Sequence, residues 1–258
     1  MQGPLRGAGV LVTRPARQSG GFAQKISAIG AVPVVFPAIV ILPPADTAAL
    51  DRVHAELDRY DMAVFVSANA VEYGATDRAR WPAKLVAFAP GPGTADALAA
   101  VGIDNARIPA TTLDSEGLLA LPELTDVARR RVIVFRGEGG RDLLVDTLRA
   151  RGAHVDTVAC YRRAAPASGA TELDDAFAQR RIDAITITSS EGLANLWRIV
   201  VPATREAWRA RPTFVPHPRI ASRARELGIA AVETAGGDAG LIAGLLEWFA
   251  AHPRVTSS

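Results

Sequence analysis

The sequence predicts an α/β protein of two similar domains, each a parallel sheet flanked by helices. Short β-branched runs alternate with longer stretches of helical period along the whole chain, and the order of those segments then repeats. A length of 258 residues, 49% of them hydrophobic and 22% charged, is enough to bury two cores.

In order, the runs are Val10–Arg14, VVFP (34–37), AVFVS (63–67), LVAFAP (85–90), VIVFR (132–136), VACY (158–161), AITITS (184–189) and TFVP (213–216). Each ends at residues that favour a turn or a helix start, as strands feeding crossover helices do. Pro15, directly after Arg14, reads as a first-turn helix proline.

The repeat is visible despite weak identity. GVLVTRPARQ aligns with RVIVFRGEGG, which places Val10 on Val132, Arg14 on Arg136 and Asp61 on Asp183, all 122 residues apart. AFAPGPGTADALAAVGI aligns with TFVPHPRIASRARELGI, with Gly102 on Gly228, and DSEGLL faces GDAGLI, with Gly117 on Gly240. The drift of a few residues is what loop insertions produce. The string SEGL at Ser115–Leu118 and again at Ser190–Leu193 is therefore a coincidence of letters between different elements, each a helix start.

Composition narrows the function. No apolar run reaches the roughly 18 residues of a membrane helix, and the N-terminus has no cleavage pattern of a signal peptide, so a cytoplasmic protein is expected. Cys160 is the single cysteine, which excludes an internal disulfide and a cysteine-cluster metal site; inside an apolar run it reads as buried and inert. Of the 29 basic residues only Lys25 and Lys84 are lysines, leaving 27 arginines, a side chain suited to carboxylate or phosphate recognition. No basic stripe interleaved with aromatics points to nucleic acid. No heptad or large apolar stripe advertises a partner, so a monomer is expected.

In open parallel sheets ligands bind beyond the carboxyl ends of the strands, where helix N-termini offer unpaired N–H groups and partial positive charge. Here those ends carry Thr13-Arg14, Ser67-Ala68-Asn69, Gly91 to Thr94, the glycine-rich stretch Arg136-Gly137 to Arg141, Thr188-Ser189-Ser190 and His217-Pro218-Arg219. The helix start Ser115-Glu116-Gly117 follows a further loop. The Ser, Thr and Asn residues among them are, taken singly, ordinary helix caps, and His217 reads as a loop histidine or a ligand donor at a strand end; together these ends form a candidate anion-binding rim.

Other chemistries fail on pattern. GPGTAD and GEGGRD lack the third glycine of a dinucleotide loop, and no GK[ST] occurs. The four histidines are scattered, so no metal site is expected. Ser189 and Ser190 lack a nucleophile elbow. Tyr161 has two readings from its residues alone, core packing or a phenol acid in a cleft.

These stretches together, VLVTRPARQ, DMAVFVSANAV, GPGTADAL, DSEGLL, VIVFRGEGGRDLLVDTLRARGAHVDTVACYRR, DAITITSSEGLANL and VPHPRIASRARELG, resemble the uroporphyrinogen-III synthase family from end to end. The resemblance implies two domains joined by two crossing extended strands, with residues 1–36 plus 166–258 as one domain and 37–165 as the other. The crossings would run from Val32 and from Val155. A simple split near residue 125 fits the repeat equally well. The resemblance also implies cyclisation of hydroxymethylbilane to uroporphyrinogen III, with loss of water, inversion of ring D and no cofactor. Tyr161 matches a tyrosine suspected of assisting hydroxyl departure. Thr13, Ser67, Thr94, Ser115, Ser189 and Ser190 would grip substrate carboxylates, from helix starts of both lobes. Many relatives have Gly-Pro-Thr-Thr-Ala where this chain has Pro216 to Ala221, so Arg219 would supply charge in place of a hydroxyl. The alternatives are a two-lobed binding protein for a polycarboxylate, without turnover, and the sensory half of a regulator. No helix-turn-helix extension follows residue 250.

Overall fold

A computed structural model describes residues 3–76, 78–140, 142–167 and 169–253, so Arg141 of the glycine-rich stretch lies outside the described residues. The chain opens with β1 (Gly9–Val12), α1 (Ala16–Ala28) and β2 (Val32–Val35). A second set follows: β3 (Val40–Leu42), α2 (Ala48–Ala55), β4 (Met62–Phe65), α3 (Ala68–Gly74), β5 (Val86–Phe88), α4 (Pro92–Ala100), α5 (Ser115–Leu119), α6 (Pro122–Thr125), β6 (Arg131–Gly137), α7 (Leu143–Ala150) and β7 (His154–Ala164). The last set is α8 (Thr171–Ala178), β8 (Ala184–Thr186), α9 (Ser190–Ile199), α10 (Pro202–Arg209), β9 (Thr213–Val215), α11 (Pro218–Glu226), β10 (Ala231–Glu233) and α12 (Gly237–Ala251).

The strands form two five-stranded sheets, β10-β9-β8-β1-β2 and β3-β7-β6-β4-β5. One compact unit takes the chain up to Val40 and again from Ala164, and the other runs Ile41–Arg163. In the first sheet β1 pairs in parallel with β2 (Val10↔Pro33) and with β8 (Leu11↔Ile185). In the second, β6 plays the part of β1, pairing in parallel with β7 (Val132↔Val155) and β4 (Ile133↔Ala63).

Successive residues of a strand face opposite sides of the sheet, and both sides are buried here, as parallel sheets require. Val10 and Val12 pack with Phe22, Ile26, Leu241, Leu245 and Phe249 from α1 and α12. Leu11 between them packs with Leu173, Leu193, Trp208 and Ile220 from the opposite layer. The other unit repeats the arrangement, with Val132 and Val134 against Leu118, Leu144 and Leu148, and Ile133 and Phe135 against Val71 and Leu98. Each such side chain is worth about 1.5–3 kcal/mol when fully buried, so the two faces of each sheet hold most of the stabilisation.

The sequence repeat marks equivalent structural parts. Asp183 Oδ2 accepts from the Gly9 amide at 2.8 Å, and Asp61 Oδ2 accepts from the Arg131 amide at 2.9 Å, so both aspartates tie down the first residue of the neighbouring strand. A Cβ on Gly117 would lie 1.7 Å from the Thr112 carbonyl oxygen, and one on Gly240 would lie 2.0 Å from that of Ala235. Each glycine lets the loop five residues earlier cross closely over its helix.

Three details differ from the expectations of the sequence. The second strand covers 32–35 rather than 34–37, with Pro33 tolerated because β2 is an edge strand. Pro15 is the residue before the first turn of α1, with φ −49° and ψ 145°, whereas Pro92, Pro202 and Pro218 each begin a helix. β10 is only three residues long, AVE, too short to show a period, and its place in the other sheet is taken by a single bridge from Phe88 to Arg107. Among the described residues no helix is long and apolar enough to cross a membrane.

Candidate functional site

The order of strands reverses between β6 and β4 in one sheet and between β1 and β8 in the other. Such switch points leave a crevice at the carboxyl ends of the two strands, where α/β proteins place their ligands.

In the unit Ile41–Arg163 this crevice is a hollow of about 150 Å³ lined by Val66, Ser115, Arg136, Gly137 and Tyr161 among others. Tyr161, near the end of β7, is 2% exposed, with its ring packed among core residues and its edge on the hollow. The ring stands against Gly137, where a Cβ would lie 2.7 Å from two ring carbons and 3.1 Å from the hydroxyl oxygen. Tyr73 packs at 6.5 Å between ring centroids, and the Arg163 guanidinium lies 5.9 Å from the Tyr161 ring centre. The phenol oxygen is 3.3 Å from Ser67 Oγ. Tyr161 is thus a core ring whose polar tip reaches a hollow.

Ser67 caps α3, its Oγ accepting from the Ala70 amide at 3.2 Å, while Ala68 and Asn69 form the first turn. Gly91 precedes α4 in extended conformation, and Thr94 is buried in that helix's first turn. Asp114 caps α5 by accepting from the Gly117 amide at 2.9 Å, leaving Ser115 half-buried on the hollow and Glu116 exposed. Arg136 is pinned: its Nη1 meets Asp142 at 2.7 Å and its Nη2 donates to the Gly139 carbonyl at 2.7 Å. This shapes the glycine-rich loop and keeps a cation beside the hollow.

At the matching switch point of the other unit, the Thr13 hydroxyl donates to the Thr186 carbonyl at 2.7 Å, so its proton is spent on joining β1 to β8. Arg14 lies over the Phe22 ring and pairs with Asp238 at 2.6 Å; Lys25 meets the same carboxylate at 2.7 Å. Burial pushes the Asp238 carboxyl up, but the hydrogen bonds and charges of Lys25 and Arg14 outweigh it and hold the group below its usual range. Thr188 is half-buried just before α9, which Ser189 caps by accepting from the Gly192 amide at 3.0 Å. Ser190 Oγ is buried without a hydrogen-bond partner among the described residues. His217 caps α11, its Nδ1 accepting from the Arg219 amide at 3.1 Å. Ser190 and Arg219 come together with Ser222, Arg223 and Glu226 around an open hollow.

Ser115, Arg136, Gly137 and Tyr161 share one hollow, and Ser190 and Arg219 another, while Ala68, Asn69, Gly91, Thr94, Thr13, Arg14, Thr188, Ser189 and His217 line neither. Thr13, Ser67, Ser189 and His217 spend a lone pair or a proton on the backbone, which leaves backbone N–H groups of the first helical turns as the common resource. Sequence reasoning missed Asp142 and Asp238, the carboxylates that hold Arg136 and Arg14; both stand at helix starts, where an acid is unremarkable. It also passed over Arg163, two residues beyond Tyr161, as a lining residue.

Cys160 is buried and its thiol is pushed up to about 12, chiefly by burial, so it takes no part in nucleophilic chemistry at neutral pH. Among the described residues no three or more His, Cys, Asp or Glu side chains are grouped to hold a metal. The larger hollow of about 690 Å³ beside β2 and α8 runs along the outer edge of its sheet and gathers none of these groups.

The family model described as uroporphyrinogen-III synthase HemD matches residues 21–238. The uroporphyrinogen-III synthases of Salmonella typhimurium and Escherichia coli are each 35% identical to this chain, covering 85% of it and 91% of their own length. Among solved structures, uroporphyrinogen-III synthetase from Helicobacter pylori superposes with a TM-score of 0.59 at 11% identity, covering 94% of this chain and 99% of that one. A mutant uroporphyrinogen III synthase from the extremely thermophilic bacterium Thermus thermophilus gives 0.52 at 21%, covering 95% and 98%. These two share the fold.

Proposed function

The chain belongs to the uroporphyrinogen-III synthase family, and from that premise we propose how its residues close hydroxymethylbilane to uroporphyrinogen III. The reaction is a step of porphyrin biosynthesis, and its loss of water makes the enzyme a carbon–oxygen lyase. The substrate is a flexible polyanion with an acetate and a propionate on each pyrrole. It closes unaided to the uninverted isomer, so catalysis rests on selecting one conformation. Positioning of this kind supplies up to about 7–11 kcal/mol.

Each unit brings its own anion donors. In one they are the first turns of α3, α4 and α5 with Arg136; in the other, the first turns of α9 and α11 with Arg219. An unpaired buried hydroxyl costs about 1–3 kcal/mol, a cost that a substrate carboxylate on Ser190 would relieve. Because backbone N–H groups remain after a side chain is trimmed, single Ser→Ala changes at Ser115, Ser189 and Ser190 are expected to be mild.

The observation that carries the mechanism is the Tyr161 hydroxyl, held at 3.3 Å from Ser67 Oγ at the edge of the hollow. Tyr161 gives its proton to the hydroxyl of the terminal methylene, which leaves as water. The resulting azafulvene cation is attacked by the substituted carbon of ring D. The spiro intermediate fragments and recloses through the free α carbon, whose proton returns to the phenolate. Net, the bilane loses one water.

The test is conversion of hydroxymethylbilane with chromatographic resolution of isomers I and III. Isomer III above background is expected, and isomer I alone would sink the assignment. Tyr161→Phe should lower turnover by about 100-fold, the lower end of what general acids contribute; full turnover and an unchanged isomer ratio would remove the phenol from the mechanism.

A further inference from the structure

We propose that Ser67 is a positioning residue that fixes the direction of the Tyr161 proton, an inference that rests on the reading of Tyr161 as proton donor. Ser67 sits just past β4 and Tyr161 near the end of β7, and their oxygens are 3.3 Å apart. That distance is long for a hydroxyl pair, as catalytic hydrogen bonds commonly are before substrate tightens them. Either oxygen has the chemistry to donate. Bound substrate decides between them, because its departing oxygen accepts the phenol proton only when that proton is not given to Ser67.

A serine hydroxyl has one proton and two acceptor positions. The Ala70 amide, at the start of α3, already donates to Ser67 Oγ at 3.2 Å. If Tyr161 also donated to that oxygen, the serine would accept twice, its own proton would have no acceptor among the described residues, and the phenol proton would be kept from the substrate. With Ser67 donating to Tyr161, the serine accepts once and donates once. The phenol proton is then turned away from Ser67, toward the hollow lined by Ser115, Arg136 and Gly137.

The result is a one-way chain: Ala70 amide to Ser67 oxygen, Ser67 hydroxyl to Tyr161 oxygen, Tyr161 hydroxyl to the departing oxygen of the substrate. Hydrogen bonds in series polarise one another in the same sense. When the phenol proton leaves, the Ser67 hydroxyl is already aimed at the phenolate and needs no reorganisation. Ser67 never touches the reacting atoms; it acts through Tyr161.

Helix capping alone would explain a serine here, so the test separates capping from proton direction. Aspartate caps a helix as well as serine does, but an ionised carboxylate only accepts, so Ser67→Asp would draw the phenol proton inward. Threonine keeps both the cap and the donor, and the extended backbone at residue 67, φ −167° and ψ 165°, suits a β-branched residue.

The full chain is assayed with hydroxymethylbilane for kcat and KM separately, with thermal midpoints for every variant. Ser67→Thr is expected within about 3-fold of wild-type kcat. Ser67→Asp should keep its thermal midpoint yet lose kcat on the order of 10-fold, and Ser67→Ala should lose kcat similarly. In a Tyr161→Phe background neither change should lower kcat further. A fully active Ser67→Asp, or Ser67 losses that persist undiminished in Tyr161→Phe, would overturn the inference while leaving Tyr161 as the acid. Full activity of Tyr161→Phe alone would instead remove the reading beneath it, and the inference with it.

Discussion

Gly137→Ala isolates the geometry of the phenol from its chemistry. Position 137 shows no left-handed backbone, so alanine there meets a purely steric obstacle: its Cβ would lie 2.7 Å from Cε2 and Cζ of Tyr161. Non-bonded carbons rest at about 3.5–4.0 Å, so the ring or the strand end must give way by roughly 1 Å. Tyr161 is 2% exposed and packed on its other side, which leaves the ring little room to retreat. A displacement of about 1 Å at a reacting group costs on the order of 100-fold in rate, and the added methyl in a filled core costs about 1–3 kcal/mol of stability. The assay measures kcat and the ratio of isomers III and I, beside urea unfolding of the same preparation. Gly21→Ala is the control: it lies within α1 with nothing within 4 Å and should keep full activity, gaining about 0.5–1 kcal/mol. A Gly137→Ala enzyme with wild-type kcat and stability would refute the claim that the glycine holds the phenol in place.

Gly240→Ala, whose Cβ would lie 2.0 Å from the Ala235 carbonyl oxygen, should destabilise the protein by at least about 2 kcal/mol in urea, and Gly117→Ala similarly from the other unit; a neutral result in either would mean the loop shifts freely. Asp114→Ala removes the cap of α5 and should cost about 1 kcal/mol, with Asp114→Ser recovering most of it. The Cys160 thiol is pushed up to about 12 by burial, and the Tyr60 phenol to about 12 by burial and its hydrogen bond to Asp156. The folded protein keeps these protons where the unfolded chain loses them. Stability should therefore be insensitive to both groups below about pH 9 and fall from there toward pH 12; alkaline titration of the urea midpoint showing a rise across that window would contradict the burial argument.

Much of the fold was legible because its signals are local. The alternation of Val10, Leu11 and Val12 between two buried layers is a period of two written in apolar residues on a strand covered on both faces. Asp61 and Asp183, paired by the repeat, tie down equivalent strands, and Gly117 and Gly240 are crossed by equivalent loops. Ser67 and Ser189 were placed at helix starts and cap them, whereas His217, read as a strand-end histidine, turns out to cap α11. What each cap does beyond capping was not legible, because a capping serine and a proton-directing serine look the same in one dimension. The carboxylates that hold Arg14 and Arg136 escaped for a similar reason, since nothing local marks an acid at a helix start as a salt-bridge partner.

The sequence by itself determined most of the inventory: eight of the ten described strands, several helix starts, and that the set occurs twice. Only the tertiary structure decided neighbours. β1 lies beside β8, bridged by Thr13 and Thr186 across 173 residues of chain, and Tyr161 meets Ser67 across 94. A repeat offset near 122 is compatible with more than one assignment of strands to sheets, because period and propensity are properties of a segment alone. The order of strands, and with it the position of the switch-point hollows, follows from long-range packing of faces against one another. That energy is summed over contacts distant in sequence and has no local signature.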